Sequence, residues 1–231
     1  MNDALLNVLR SVDTPTVCNA IEAAQGKRGF NNFTKATMVA SAPEKKSVVG
    51  YALTAKIAAT SAPEESTESL KERRMAYYKY MAEGQRPSVA VIEDCDFPNC
   101  VGAFWGEINT TVHKGFGVSG GVANGVVRDL GDLPTGFPVI AGSIGPSHAF
   151  VHVREFGKPV SVFGLEVEEG DLVHADRHGA LVIPSLVIPS LQHAIEKLIA
   201  TERLVLDPAS KPDFDFEAFA KAWAAFEAAR T

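Results

Sequence analysis

The sequence of this chain of 231 residues is poor in cysteine, in basic side chains and in long apolar runs. Its three cysteines, Cys18, Cys95 and Cys100, are too few for a disulfide framework and favour a reduced, cytoplasmic setting. Lys and Arg number 22 against 28 Asp and Glu, and the net charge of −6 argues against a nucleic-acid partner, because phosphate groups are bound by basic side chains. No run is long enough to span a bilayer, and residues 1–15 lack the apolar core of a signal peptide, so we expect neither a membrane partner nor secretion.

Two of the cysteines stand close together in the stretch CDFPNC. Cys95 and Cys100 could form half of a metal site, but a structural zinc site of this kind needs a second pair, and the sequence has none. We therefore interpret both as thiols without a metal.

The order of apolar and polar segments predicts a single α/β domain over residues 1–205, because strand-like and helix-like stretches alternate and the later half is rich in strands. The sequence pattern of residues 206–231 predicts a linker followed by an amphipathic helix. One stripe of that helix carries four aromatic side chains, a pattern typical of packing against the same domain or a neighbouring subunit: Phe216, Phe219, Trp223 and Phe226.

Turn and cap residues predict where several elements lie. Residues 14–25 read as a helix that Thr14 caps and Gly26 stops. Residues 159–184 read as three short strands joined at Gly-Asp and His-Gly turns. Further helices are predicted within 63–84, 106–115 and 189–206, and strands at 47–59, 88–94, 118–124 and 137–143.

Adjacent opposite charges follow the glycine-rich strand. Twenty residues separate Glu107 from Arg128, which is about one strand–helix unit. Strand ends and helix starts share one edge of a parallel sheet, so the turn at 106–109 and the pair Arg128–Asp129 are expected to converge. Free backbone N–H groups and a guanidinium suit a 2-oxo acid, and carboxylates suit a hard divalent metal. A solvated Arg-Asp surface turn is the competing interpretation.

Five stretches resemble the family that contains the 4-hydroxy-4-methyl-2-oxoglutarate aldolases and the regulator of ribonuclease E activity A. The acidic residue, the twenty-residue spacing and the Arg-Asp pair match the aldolases of that family. The matching stretches cover most of residues 10–205: 48–56, 88–94, 106–130, 137–146 and 167–184.

The resemblance implies a fold similar to the swivelling β/β/α domain, assembled as a homotrimer or a hexamer. It implies that Gly106, Glu107, Ile108 and Asn109 bind the carboxylate of a pyruvate moiety. By the same resemblance, Arg128 binds the oxyanion, Glu107 takes part in catalysis, and Asp129 is the ligand of Mg²⁺ or Mn²⁺. In some members a carboxylate from a neighbouring subunit reaches the water molecules bound to the metal. In this sequence Glu202 is the candidate for that role.

The sequence departs from the family pattern at three places. Glu107 stands where the aldolases usually have aspartate, and Asn19 stands where many members have aspartate. Residues 60–87 lack the usual substrate-side pattern, which leaves the acceptor end of the substrate open.

The expected function is a metal-dependent lyase that cleaves a 4-hydroxy-2-oxo acid by a retro-aldol reaction, decarboxylates oxaloacetate, or both, through a pyruvate enolate. The alternative is a non-catalytic regulator that acts on a protein partner. No lysine in the matched turn suits a Schiff base, no serine stands in a nucleophile elbow, and no glycine-rich nucleotide loop supports a methyltransferase.

His113, His148 and His152 are three of the six histidines in the chain. His148 and His152 have the spacing of helical metal ligands but lack a third ligand nearby, so a substrate-side or structural role is expected. His113 is expected on the surface of its helix.

Overall fold

The computed structural model describes residues 1–44 and 47–230. Within these residues the α-helices are Asp3–Ser11 (α1), Thr14–Gln25 (α2), Thr67–Glu83 (α3), Glu107–Gly115 (α4), Ile188–Ala209 (α5) and Phe216–Arg230 (α6). The first strands are Val39–Ala40 (β1), Val48–Ala58 (β2), Ser88–Asp94 (β3), Ala103–Trp105 (β4), Val118–Ala123 (β5), Val126–Val127 (β6) and Val139–Ala141 (β7). The later strands are Ser143–Ile144 (β8), His152–Phe156 (β9), Val160–Val162 (β10), Leu165–Val167 (β11), Leu172–Asp176 (β12) and Gly179–Val182 (β13).

Eight strands form a mixed sheet in the order β1-β7-β5-β3-β2-β12-β13, with β9 also paired to β2. The pairs β2–β3, β3–β5 and β5–β7 are parallel, whereas β12 and β9 run antiparallel to β2. The long strand β2 pairs with β12 along its first half and with β9 along its second half, where the register shifts between Lys56 and Ile57. The predicted α/β class is confirmed.

A second, smaller sheet carries the predicted site. It consists of the parallel strands β4, β6 and β8, each two or three residues long. Trp105 and Phe137 are buried between this sheet and the large one, with ring centroids 5.6 Å apart. A Cβ on Gly121 of β5 would lie 2.7 Å from the Trp105 ring, so the absence of a side chain there lets the indole pack against the sheet.

Three sequence predictions about elements need correction. Asp13, not Thr14, caps α2, because its carboxylate accepts a hydrogen bond from the Thr16 N–H. Residues 160–182 form four strands, since a tight turn at Phe163 and Gly164, both with positive φ, splits the first of the three predicted strands in two. Finally, α5 continues to Ala209, so the predicted linker begins inside a helix.

The aromatic stripe of α6 forms as predicted. Successive rings of Phe216, Phe219, Trp223 and Phe226 pack in tilted contacts at centroid distances of 6.0, 5.6 and 5.3 Å. The helix lies against α5, yet 80% of Phe216 and 41% of Trp223 remain exposed. No helix in the described part of the chain has the length and apolarity needed to cross a membrane.

Candidate active site

Two neighbouring strands of the small sheet end at the predicted site. Trp105, the last residue of β4, is paired with Val127, the last residue of β6. The backbone N–H of Arg128 extends this pairing by donating to the Trp105 carbonyl at 2.9 Å. The turn at 106–109 and the Arg128–Asp129 pair therefore leave the same edge of a parallel sheet, as the spacing in the sequence predicted.

The Asp129 carboxylate lies at the N-terminus of α4. Its Oδ2 accepts a hydrogen bond from the Glu107 N–H at 3.1 Å and lies 3.5 Å from Nε of Arg128. The cap residue of α4, Gly106, has no side chain to accept from the first N–H groups of the helix. A carboxylate from another strand therefore satisfies one of them, and the partial positive charge of the helix end favours it there.

Gly106 allows this close approach. A Cβ at this position would lie 2.7 Å from Asp129 Oδ2 and 3.1 Å from Arg128 Nε. Any other residue would push the carboxylate and the guanidinium away from the helix end. The turn at 106–109 thus depends on glycine for its contact with the charged pair.

Asp129 adopts a left-handed backbone conformation, with φ at 57°. Residues with a Cβ rarely adopt this conformation, and Asp and Asn are the ones that tolerate it best. The Asp129 carbonyl accepts from the Asp132 N–H at 2.9 Å, which closes a turn around it. Such an outlier is a reason to suspect a functional constraint.

The charged pair is partly shielded. The side chains of Arg128 and Asp129 are 34% and 28% exposed, whereas Ile108 is 74% exposed and Glu107 is also exposed. A ligand can therefore reach the helix end, the guanidinium and both carboxylates from solvent. The geometry brings together all six residues of the predicted site, and their chemical roles stay predictions.

A buried hydrogen-bonded network holds α4 from beneath. Nδ1 of His113 lies 2.6 Å from the Asn109 carbonyl, and its Nε2 lies 2.6 Å from the Tyr77 hydroxyl. The Asn109 side chain accepts from the Tyr78 hydroxyl and donates to the Phe104 carbonyl, both at 2.6 Å. The network fixes the first turn of α4 against α3 and β4.

The prediction that His113 lies on the surface is wrong, because its side chain is fully buried among aromatic rings. Burial lowers the pKa of His113 to about 4, so the imidazole is neutral near pH 7. A carbonyl only accepts, so Nδ1 carries the proton and Nε2 accepts from Tyr77. The signal in the sequence was the four-residue spacing from Asn109 to His113, which puts both on one face of the helix.

His148 and His152 do not share a helix, in contrast to the spacing argument. His148 lies in the loop after β8, and His152 begins β9. Both line a cleft beside α3, together with Asn109. Glu202 and Asn19 lie elsewhere, in a cleft between α2 and α5. A role of Glu202 in the site of a neighbouring subunit stays a prediction.

The donors present fit a metal that retains most of its water. Among the described residues, no group of three or more His, Cys, Asp or Glu side chains is placed to hold a metal ion. Asp129 offers one carboxylate, whose Oδ1 accepts no hydrogen bond from the described residues. A single carboxylate suits Mg²⁺ or Mn²⁺, which keep several waters, and does not suit a structural zinc site with four protein ligands.

Known proteins similar to this chain include two curated relatives. Protein DlpA of Legionella pneumophila is 30% identical over 124 residues, which are 52% of this chain and 19% of that protein, so the chain spans about a fifth of its length. A protein of Halalkalibacterium halodurans, provisionally named a 4-hydroxy-4-methyl-2-oxoglutarate aldolase, is 25% identical over 76% of this chain and 74% of its own length.

The fold is also similar to that of a solved structure. RraAS2 of Streptomyces coelicolor, described as an unusual member of the RNase ES inhibitor RraA protein family, superimposes with a TM-score of 0.64 at 21% identity. The match covers 91% of this chain and 98% of that one. The model of the RraA-like family, described as Aldolase/RraA, matches residues 14–182. The chain therefore belongs to the RraA-like family.

Proposed function

We propose that the protein is a divalent-metal-dependent lyase of 2-oxo acids. It would cleave a 4-hydroxy-2-oxo acid by a retro-aldol reaction, decarboxylate oxaloacetate, or both, through a pyruvate enolate. The observation that supports this proposal best is the convergence of the α4 N-terminus, Arg128 and Asp129 on one strand edge. The provisional aldolase name of the Halalkalibacterium halodurans relative agrees with it.

The N-terminus of α4 would bind the substrate carboxylate. The Glu107 N–H donates to Asp129, and the described residues offer no acceptor to the N–H groups of Ile108 and Asn109. Unpaired N–H groups at a helix start bind carboxylates well. The network of Tyr77 and His113 beneath would hold these two groups in place.

Arg128 would stabilise the negative charge that develops on the keto oxygen as the carbon–carbon bond breaks. Its planar guanidinium can donate two parallel hydrogen bonds to adjacent oxygens of a 2-oxo acid. A metal ion held by Asp129 would act as a Lewis acid toward the same oxygens. Glu107, exposed in the first turn of α4, would exchange protons with the enolate carbon or the leaving hydroxyl.

The test is the release of pyruvate from oxaloacetate and from a panel of 4-hydroxy-2-oxo acids, with Mg²⁺, with Mn²⁺ and with a chelator. We expect metal-stimulated release from at least one substrate, lost in Arg128→Lys and kept in Lys114→Gln, a control on the exposed far end of α4. If no substrate on the panel yields pyruvate with either metal, the lyase proposal fails and the non-catalytic regulator becomes the better account.

A further inference from the structure

A basic cleft of about 580 Å³ lies between α3 and the loop that leads into β9. Four of the side chains that line this basic cleft are basic: Lys71, Arg74, His148 and His152. No Asp or Glu is among the described residues that line it, although the whole chain has a net charge of −6. Its floor is apolar and includes Tyr77 and Phe104. The cleft thus concentrates positive charge on an acidic protein.

The two cations on α3 are free to bind a ligand. Lys71 and Arg74 lie one turn apart on the helix, both exposed, and neither forms an ion pair with a described carboxylate. The neighbouring Arg73 differs, since its guanidinium lies 2.6 Å from the Glu65 carboxylate and 3.3 Å from the Val153 carbonyl. Of the two adjacent arginines on α3, Arg73 is therefore paired with the carboxylate of Glu65, which precedes the helix, whereas Arg74 lines the cleft.

His152 provides a second, independent observation on the opposite wall. Its Nδ1 lies 2.8 Å from the Phe150 carbonyl and must donate to it. Its Nε2 is buried and has no hydrogen-bond partner among the described residues. A buried polar atom without a partner is costly and calls for an explanation. A ligand group that reached this atom from the cleft would supply the missing partner.

The loop between the two histidines is held in an unusual conformation. Ala149 has a φ of 43°, which an alanine rarely adopts. The Ser147 side chain accepts from the Ala149 N–H at 2.9 Å, and the Ala149 carbonyl lies 2.7 Å from Nδ1 of His148. Strain of this kind persists where surrounding contacts enforce it, often at ligand sites.

From these observations we propose that the basic cleft binds a small organic carboxylate with an apolar body. The carboxylate lies between Arg74 and His152, with Lys71 adding charge, and the body covers the aromatic floor. A guanidinium fork matches a carboxylate, and small-molecule sites typically combine an apolar lining with a few polar groups. The proposal does not depend on the lyase activity, because it uses no residue of the Arg128–Asp129 pair.

Titration calorimetry with four probes tests the proposal. Benzoate carries a carboxylate and an apolar body, acetate and inorganic phosphate carry charge without that body, and benzyl alcohol carries the body without charge. We expect benzoate to bind at least tenfold more tightly than the other three. We expect Arg74→Gln and His152→Phe each to weaken benzoate at least tenfold, while Lys79→Gln, a control on the outer face of α3, leaves it unchanged.

The same titrations can overturn the proposal. Phosphate or acetate that binds as tightly as benzoate would show unselective attraction of anions. Benzoate binding that survives both Arg74→Gln and His152→Phe would place the ligand elsewhere. Binding that is lost in Arg128→Lys would place the benzoate in the predicted active site, whereas binding that is kept there supports a separate site even if no lyase activity exists.

Discussion

At the scale of single residues, the left-handed conformation of Asp129 decides which substitution can test its role. Alanine at this position would add backbone strain to the loss of the carboxylate, so a loss of activity would have two causes. Asparagine tolerates the same conformation and can still accept the hydrogen bond from the Glu107 N–H. It removes only the charge that a metal ion needs.

We therefore expect Asp129→Asn to abolish the stimulation of pyruvate release by Mg²⁺ or Mn²⁺ and to leave the folded structure intact. Activity is measured as a function of metal concentration, with circular dichroism as the check on folding. The matched control is Asp132→Asn, a nearby exposed carboxylate in the same turn, which should keep full stimulation. Metal-stimulated activity in Asp129→Asn equal to that of the parent would exclude Asp129 as the ligand.

Arg128 is the residue for which the two interpretations of the charged pair differ most. If it stabilises the enolate oxygen, Arg128→Lys should lower kcat by a factor that corresponds to about 2.7–4 kcal/mol, as removal of one oxyanion donor does. A lysine ammonium keeps the charge and loses the planar fork. A solvated surface pair would contribute only about 0–1 kcal/mol.

The measurement is kcat and KM for the best substrate of the panel in both proteins. A rise in KM should accompany the fall in kcat, because the guanidinium also binds the ground-state carboxylate. A variant within about threefold of the parent in both constants, a difference below 1 kcal/mol, would favour the surface turn.

At the scale of elements, α4 is positioned through a histidine that stays neutral. Burial lowers the pKa of His113 to about 4, below the usual 6.5 of an unfolded chain. Below pH 6.5 the unfolded chain binds a proton that the native state does not, so the free energy of unfolding falls as the pH falls toward 4. His174, whose pKa burial also lowers, acts in the same direction.

We expect His113 to account for about 2 kcal/mol of the stability that the parent loses between about pH 7.5 and about pH 5. Urea unfolding of the parent and of His113→Asn at both pH values measures this. The variant should be less stable at the higher pH, since the Tyr77 hydroxyl loses its acceptor, and should lose less stability on acidification. Parallel losses in the two proteins would contradict the assignment.

Single elements also show what the sequence could predict. The spacing from Glu107 to Arg128 predicted their convergence correctly, because a strand–helix–strand unit returns each strand end to the same edge. The sequence did not predict that this edge belongs to a separate sheet of very short strands, since two or three residues carry no periodicity. His113 was misplaced for another reason. Its burial depends on Tyr77, which lies 36 residues earlier in the chain.

At the scale of the whole molecule, apolar surface remains near the C-terminus. Leu206 near the end of α5 is 56% exposed, and Phe216 and Trp223 on α6 are 80% and 41% exposed. Apolar groups clustered on a surface often mark an interface between chains. The family resemblance implies a trimer or a hexamer. We expect this assembly to bury the exposed apolar side chains of α5 and α6.

Light scattering should therefore give three or six times the chain mass of 24.7 kDa at micromolar concentration. Phe216→Ser should shift the assembly toward smaller species, because it removes an exposed ring of the stripe. Met75→Ser, which alters an exposed apolar side chain on α3 instead, should not. A stable monomer of the parent chain would rule out the assembly.

An assembly of this kind allows a direct test of Glu202, which lies on α5 in a cleft away from Arg128 of the same chain. If Glu202 completes the site of a neighbouring subunit, Glu202→Gln and Arg128→Lys damage the same site from two different chains. Mixed oligomers of the two variants, formed by unfolding and refolding together, would then contain some sites with both native residues. We expect such mixtures to recover part of the pyruvate release that each variant lacks alone.

Mixtures of Arg128→Lys with Asp129→Asn should recover none, because every site keeps one damaged residue of the adjacent pair. Recovery in neither mixture, with assembly intact, would place Glu202 outside the active site.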